Sequence, residues 1–333
     1  MRRKDDPSDL IARVRRGEHA AAARALTLVV DEDPAADELS REFFKSAGAA
    51  QKIGVCGPPG AGKSTLTGRL IGLYRKRGLK VGILAVDPSS PITGGAFLGD
   101  RLRVMEHATD PGVFIRSLAS RGMVGGLTHT IFGAIHVLEA LGCGKIIIET
   151  VGTGQDEVDI ASVADTVVYV TTPAMGDEIQ AMKAGAMEVG DVFVVNKADL
   201  AGRDKAVADL RSALGLGRAS AAPAGHHGSQ ARLTAASVEP RESSWEPPVC
   251  ATAAISGEGI EELGKILDAH LERLSSTGEG RERLKRQHSA ELRFWIERRV
   301  VQRALDRVTE KSLEDLLAHK TDPATLGREI FRS

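Results

Sequence analysis

Aromatic residues are scarce. Phe, Trp and Tyr together make up 4% of the 333 residues, so any interior must be aliphatic, built from Val, Ile, Leu and Ala. Cysteine is nearly absent as well: Cys56, Cys143 and Cys250 stand far apart, with no C-x-x-C pair, each in or beside an apolar run. An odd number of scattered thiols argues against a disulfide framework and predicts reduced, buried cysteines in a cytoplasmic protein. A surplus of either charge is also missing. The formal net charge is -1, which argues against nucleic-acid binding as the main task, since neutralising phosphates needs clustered positive charge. The locally basic stretch with Arg281, Arg283, Lys285, Arg286, Arg298, Arg299 and Arg303 reads as a solvated helix face. No apolar run approaches membrane-spanning length, and residues 1–7 are charged, without an apolar signal segment.

What is present points to a large α/β domain with extensions. Hydrophobic residues make up 42% and charged residues 27% of the chain, ordinary values for a globular core. Residues 1–50 have helical composition over 10–14, 20–30 and 36–44, broken at Asp33-Pro34, and form an extension or lid. From Lys52 onward short, mostly β-branched apolar runs (53–56, 81–86, 113–115, 146–148, 167–170, 192–195 and 249–252) alternate with helical segments (63–77, 126–141, 177–187, 204–214 and 260–274). Strands apolar on both faces belong to a sheet covered by helices on both sides. The expected fold is therefore α/β, a doubly wound, mostly parallel sheet with ligand loops at the carboxyl ends of its strands. The nucleotide domain is assigned to 51–275, with a flexible, Ala/Gly/Ser/Pro-rich insertion at 217–247. Residues 276–333 form a helical extension, with helices near 282–308 and 312–318. Its stripe of Leu292, Trp295, Ile296, Arg299, Val300 and Ala304, near three- and four-residue spacing, suits packing on the domain or on a second subunit. His226 and His227 lie in the insertion, where a polar loop needs no ligand to explain them.

The chemistry is concentrated in two motifs. Gly57-Pro58-Pro59-Gly60-Ala61-Gly62-Lys63-Ser64-Thr65 matches G-x-x-x-x-G-K-[ST] and falls between an apolar strand and a helix. Glycines let the backbone curl so that successive N–H groups face phosphate oxygens, and the helix N-terminus adds partial positive charge. Lys63 is expected to reach the β- and γ-phosphates and Ser64 to ligate Mg²⁺; the bland alternative is a Gly-rich turn with no ligand. Asn196-Lys197-Ala198-Asp199 ends a later strand. A carboxylate at Asp199 accepts from the N1–H and 2-amino group of guanine, and adenine would leave it unpaired, which is how a polar site discriminates strongly. The Lys197 stem is expected to cover the base and Asn196 to brace the phosphate loop. Alone, N-K-x-D is a plain polar turn; downstream of the first motif it selects guanine.

Glu149 closes the run 145–148, where a carboxylate is placed to hold Mg²⁺. Asp87, at the end of the second strand, and Asp100, after the Gly-containing segment 94–99, are candidates to join it around the metal; Asp100 reads equally well as a loop aspartate. Gln155, after the Gly152–Gly154 turn, is a candidate for orienting the attacking water, or simply bonds the backbone. Arg101, Arg116 and Arg121 suit either phosphate contact or surface roles.

In this order, 53–65, 84–90 with 94–100, 147–155, Gly176-Asp177-Glu178-Ile179-Gln180 with Lys183, and 194–199 resemble the MeaB/ArgK GTPases, G-protein chaperones of cobalamin-dependent acyl-CoA mutases. The resemblance covers about residues 50–275. It implies GTP and Mg²⁺ binding, slow GTP hydrolysis and homodimers formed through C-terminal helices. It also implies partnership with an adenosylcobalamin-dependent mutase, typically methylmalonyl-CoA mutase, whose cofactor loading and protection the nucleotide state gates. By position, Asp87, Asp100 and Glu149 match the family's acidic residues near Mg²⁺, 150–159 a switch loop, and 174–183 a mobile loop that responds to the partner. One departure lies on the guanine side. The family's Ser-Ala pair is replaced within Thr252-Ala253-Ala254, removing a Ser hydroxyl contact but leaving the Ala254 N–H for the guanine carbonyl. Three other readings compete, one of them a regulatory scaffold that binds GTP without useful turnover. A nickel-insertion GTPase of the same class needs Cys or His ligands near the switch or N-terminus, and the chain after Glu149 reads Thr-Val-Gly-Thr-Gly-Gln. An ATP-dependent, transport-linked kinase conflicts with Asp199.

Overall fold

The computed structural model describes residues 6–31, 33–87, 105–119, 130–150, 160–175, 188–220 and 245–332. Residues 1–285 form one compact unit and 286–333 a second.

Three helices open the chain: α1 (Pro7–Arg15), α2 (His19–Val30) and α3 (Ala36–Phe44). Asp6 caps α1 by accepting from Ser8 N, satisfying an N–H that the helix itself leaves unpaired. Seven strands follow, namely β1 (Gln51–Cys56), β2 (Val81–Asp87), β3 (Val113–Ala119), β4 (Lys145–Thr150), β5 (Thr166–Thr171), β6 (Val192–Val195) and β7 (Val249–Ala251). They pair in the order β3-β2-β4-β1-β5-β6-β7, every pair parallel. This is the doubly wound sheet expected from the two-sided apolar strands. β1, β4, β5 and β6 are buried at every position. Gly54 in β1 is required by close packing: a Cβ there would lie 2.6 Å from Ile160 Cγ1.

Among the described residues, the helices that join the strands or directly follow the sheet are α4 (Lys63–Lys76), α5 (Thr130–Ala140), α6 (Arg203–Ser220), α7 (Ile260–Ser276) and α8 (Glu279–Leu305). α6 runs to Ser220, four residues into the stretch expected as a loop; residues 221–244 lie outside the described part. The helix expected at 177–187 also falls outside it. α4 and α7 pack together on one face, with Leu66, Leu70, Ile71, Leu73 and Tyr74 of α4 and Leu263 and Leu267 of α7 in the core. Burial pushes the Tyr74 hydroxyl far above its ordinary pKa, so it stays neutral.

α5 is covered by the N-terminal helices rather than by solvent. α2 and α3 pack against it, close enough that a Cβ on Gly133 would lie 2.5 Å from Val29 Cγ1. The buried Glu139 carboxylate accepts from Gly48 N at 2.9 Å and Ala50 N at 3.4 Å, fastening the linker into β1. Arg116 turns to α2, where Nη2 donates to Thr27 Oγ1 at 3.4 Å; that contact explains it without a phosphate.

At the opposite end of the sheet from the strand carboxyl termini, Asp191 ties several elements together. Its Oδ2 accepts from Val167 N at 2.8 Å, and its two carboxylate oxygens take Arg283 Nη1 at 2.8 Å and Nη2 at 3.0 Å. Its carbonyl accepts from Trp245 Nε1 at 2.8 Å. Burial alone would lower the pKa of Arg283, but the carboxylates around it, Asp191 first, reverse the sign and hold it raised, so the guanidinium stays charged in a bidentate contact with Asp191. Arg283, which the sequence alone places on a solvated helix face, is buried because Asp191 meets it there.

The second unit contains the end of α8, then α9 (Glu310–Leu317) and α10 (Pro323–Arg332), the last of which has no counterpart in the sequence reading. α9 starts with a capping box between Thr309 and Ser312, the reciprocal pairing that satisfies two free N–H groups. Leu292, Ile296, Val300, Leu305 and Leu317 are exposed.

Candidate functional site

The carboxyl end of β1 and the start of α4 bound a tightly curled loop. Gly57, Gly60 and Gly62 adopt φ of 132°, 77° and 90°, a region closed to most L-residues. The curl also demands space: a Cβ on Gly57 would meet Val170 O at 2.1 Å, and one on Gly62 would meet Asn196 Nδ2 at 2.4 Å. α4 begins at Lys63 with no side-chain cap on its first N–H groups, the arrangement that leaves a helix N-terminus open to an anion. Lys63 Nζ folds back over the loop, donating to Gly57 O at 2.8 Å and Pro58 O at 3.1 Å. Ser64 Oγ donates to Glu149 Oε1 at 2.5 Å. Pro58, Pro59 and Ala61 complete the loop, and Thr65 lies in the first turn of α4.

The second motif adjoins the first through Asn196. This buried side chain donates from Nδ2 to Ala61 O at 2.9 Å. Its Oδ1 accepts from Thr252 Oγ1 at 3.1 Å and Ala254 N at 3.2 Å. One amide therefore spans the phosphate-loop motif, the N-K-x-D turn and the 252–254 turn. The hydroxyl in this turn is that of Thr252, and it is spent on Asn196. Lys197 has φ 56°, a strained conformation for a residue with a Cβ. Ala198 N bonds Thr252 O at 2.9 Å, and Asp199 is exposed beside this turn. The 252–258 turn is closed on itself by Ala253 N to Glu258 O at 3.0 Å and Gly257 N to Ala253 O at 2.8 Å. No motif marks Arg69 on α4, yet its Nε donates to Ala254 O at 2.7 Å.

Of the predicted site residues, the structure thus brings together 57–65, Glu149, 196–199 and 252–254. Asp87 ends β2, whose register sets it beside Ala119, and its side chain lies outside the described part. Asp100 and Gln155 fall at 88–104 and 151–159, also outside it. Among the described residues no three His, Cys, Asp or Glu side chains gather as a metal-holding group, and no helix is long and apolar enough to cross a membrane. None of the three cysteines forms a disulfide. Burial pushes the Cys143 and Cys250 thiols up to about 12, which keeps them protonated and unreactive.

Comparison with known proteins extends this picture. The family described as methylmalonyl-CoA mutase-associated GTPase MeaB matches residues 22–309. A protein of Pyrococcus abyssi named as a GTPase is 46% identical over 285 residues, 86% of this chain and 82% of its own length. The GTPase ArgK of Escherichia coli is 32% identical over 305 residues, 90% of this chain and 86% of its own. The mouse methylmalonic aciduria type A homolog, a mitochondrial protein, is 32% identical over 290 residues, 82% of this chain and 65% of its own. Among solved structures, one titled LAO/AO transport system kinase superposes with a TM-score of 0.70 at 26% identity, covering 100% of this chain and 98% of that one.

Proposed function

Since the chain belongs to the MeaB family of methylmalonyl-CoA mutase-associated GTPases, we propose that this P-loop GTPase serves a cobalamin-dependent acyl-CoA mutase, with methylmalonyl-CoA mutase as the client. In this reading the nucleotide state gates adenosylcobalamin loading and protects or reactivates the mutase. The family name and the mouse relative's name support the client.

The geometry supports a role for each of the site residues. The loop 57–62 and the N–H groups opening α4 cradle the phosphates, and Lys63 moves from the Gly57 and Pro58 carbonyls to the β- and γ-phosphates. Asp199 reads the N1–H and 2-amino edge of guanine, Lys197 covers the base, and Asn196, Thr252, Ala253 and Ala254 shape the pocket wall. The observation that carries the reading is Asn196 bonded at once to Ala61, Thr252 and Ala254, because it fixes the base pocket at one distance from the phosphate loop.

Ser64 and Glu149, a hydroxyl and a carboxylate 2.5 Å apart, are the all-oxygen donor set that suits Mg²⁺. Mg²⁺ bound there would neutralise charge on the β- and γ-phosphates. Asp87 and Asp100 are proposed to complete that site and Gln155 to orient water. The exposed Leu292, Ile296 and Val300, an i, i+4, i+8 row, support a homodimer formed through the second unit.

Co-purification tests the client directly. The tagged protein is mixed with methylmalonyl-CoA mutase and GTP hydrolysis is measured with and without it. Complex formation with altered turnover is expected; a mutase that neither binds nor changes turnover contradicts the assignment.

A further inference from the structure

The wall of the proposed base pocket is gripped from two directions. From one side Asn196 takes the Ala254 N–H. From the other, α4 contributes Arg69, whose Nε donates to Ala254 O at 2.7 Å and whose Nη2 donates to Ile255 O. Arg69 lies on the same helix that begins with Lys63 and Ser64. Its guanidinium is planar and offers its donors in a fixed fork, so two consecutive carbonyls are held at one orientation relative to α4. These carbonyls follow the Ala254 N–H immediately in the chain, so gripping them restricts the peptide that carries it.

The rest of the turn cannot substitute for this clamp. Its own bonds, from Ala253 N to Glu258 O and from Gly257 N to Ala253 O, close the turn but do not attach its tip to α4. Ile255, at that tip, is 76% exposed, so packing does little to anchor it. The Ala254 N–H contact with Asn196 Oδ1 is 3.2 Å, at the long end for an N–H···O bond, leaving the donor able to serve a purine oxygen as well.

We propose that Arg69 is a positioning residue for base recognition: by clamping the Ala254 and Ile255 carbonyls to α4, it aims the Ala254 N–H at the 6-oxo group of a bound guanine. This rests on the guanine reading given above. It makes selectivity at purine position 6 depend on a side chain of the phosphate-binding helix that touches neither base nor phosphate.

The test uses the full chain and three nucleotides: GDP, 2-aminoadenosine diphosphate, which keeps the 2-amino group but carries an amine at position 6, and ADP. Dissociation constants are measured for the native protein, Arg69→Ala and Arg69→Lys. Arg69→Ala is expected to weaken GDP binding by about tenfold, the scale of losing charge-assisted hydrogen bonds at a partly exposed site. Affinity for 2-aminoadenosine diphosphate should stay unchanged, and Arg69→Lys should recover part of the loss. Equal weakening of both nucleotides, or no weakening of either, overturns the proposal. Thermal melting of each variant identifies a general folding defect, which would weaken both equally. If the native protein itself fails to prefer GDP over ADP, the guanine reading falls and this inference with it; if that preference holds while Arg69→Ala behaves as native, only the inference falls.

Discussion

Ser64 Oγ donates to Glu149 Oε1 at 2.5 Å although the two residues lie 85 positions apart. The contact exists because β4 pairs directly with β1 in parallel, Val55 beside Glu149, and the loop after β1 returns Ser64 over that strand end. In the proposed site these two oxygens are the metal's protein donors. Replacing Glu149 with Ala is therefore expected to lower Mg²⁺-dependent GTP turnover by about a hundredfold, while GDP affinity changes by less than about threefold. Steady-state hydrolysis and equilibrium binding separate the two; equal losses would remove Glu149 from the metal site.

Lys63 rests on two loop carbonyls, which a phosphate would replace with a full charge partner. Lys63→Ala is expected to weaken GTP and GDP binding by at least about a hundredfold. Fluorescent-nucleotide titration measures it, and near-native affinity would refute the phosphate assignment.

Most of this was legible in the sequence, for definite physical reasons. The strands announce themselves because residues such as Ile146-Ile147-Ile148 and Val167-Val168 are β-branched and apolar on both faces, which only a sheet covered on both sides tolerates. The phosphate loop is legible because its glycines answer a backbone requirement. Pairwise side-chain ties were not legible. Asn196 suggested a brace, but nothing in the sequence placed Thr252 and Ala254 on its other end. Arg283 reads as one more basic residue on a charged helix, and only the tertiary fold puts Asp191 opposite it. α10 escaped notice because Pro323–Arg332 is short and carries few large apolar residues.

The Asp191–Arg283 pair makes its own forecast. Both groups are buried, so removing Asp191 takes the carboxylate away from a buried guanidinium that keeps its bond to the Asp165 carbonyl. Asp191→Ala is expected to destabilise the protein by about 3–5 kcal/mol, and a double variant with apolar residues at both positions should recover part of that loss. Urea denaturation of the single and double variants measures it; a single variant within about 0.5 kcal/mol of native would mean the pair is inert.

Asp110 links stability to acid. Arg75 donates to its carboxylate at 2.9 Å from both Nε and Nη2, and Gly112 N donates at 2.7 Å. The Arg75 bond first, then the Gly112 amide, holds its pKa below the usual 3.8. A depressed native pKa means the contribution is fully present above about pH 4 and is lost as pH falls through the lowered value. Asp110→Asn should therefore be less stable than native by a constant margin at neutral pH, and the two should converge as pH drops below about 4. Thermal melts from pH 7 to pH 2.5 check this; a margin that widens on acidification would contradict it.

The most direct test is nucleotide selectivity of the native protein and Asp199→Asn, measured by binding of GDP, xanthosine diphosphate and ADP. The native protein should favour GDP over ADP by at least about a hundredfold, and the variant should turn toward xanthosine diphosphate because its amide matches the exchanged donor on the base. Native protein that holds ADP as tightly as GDP, or a variant whose preference does not move, would contradict it.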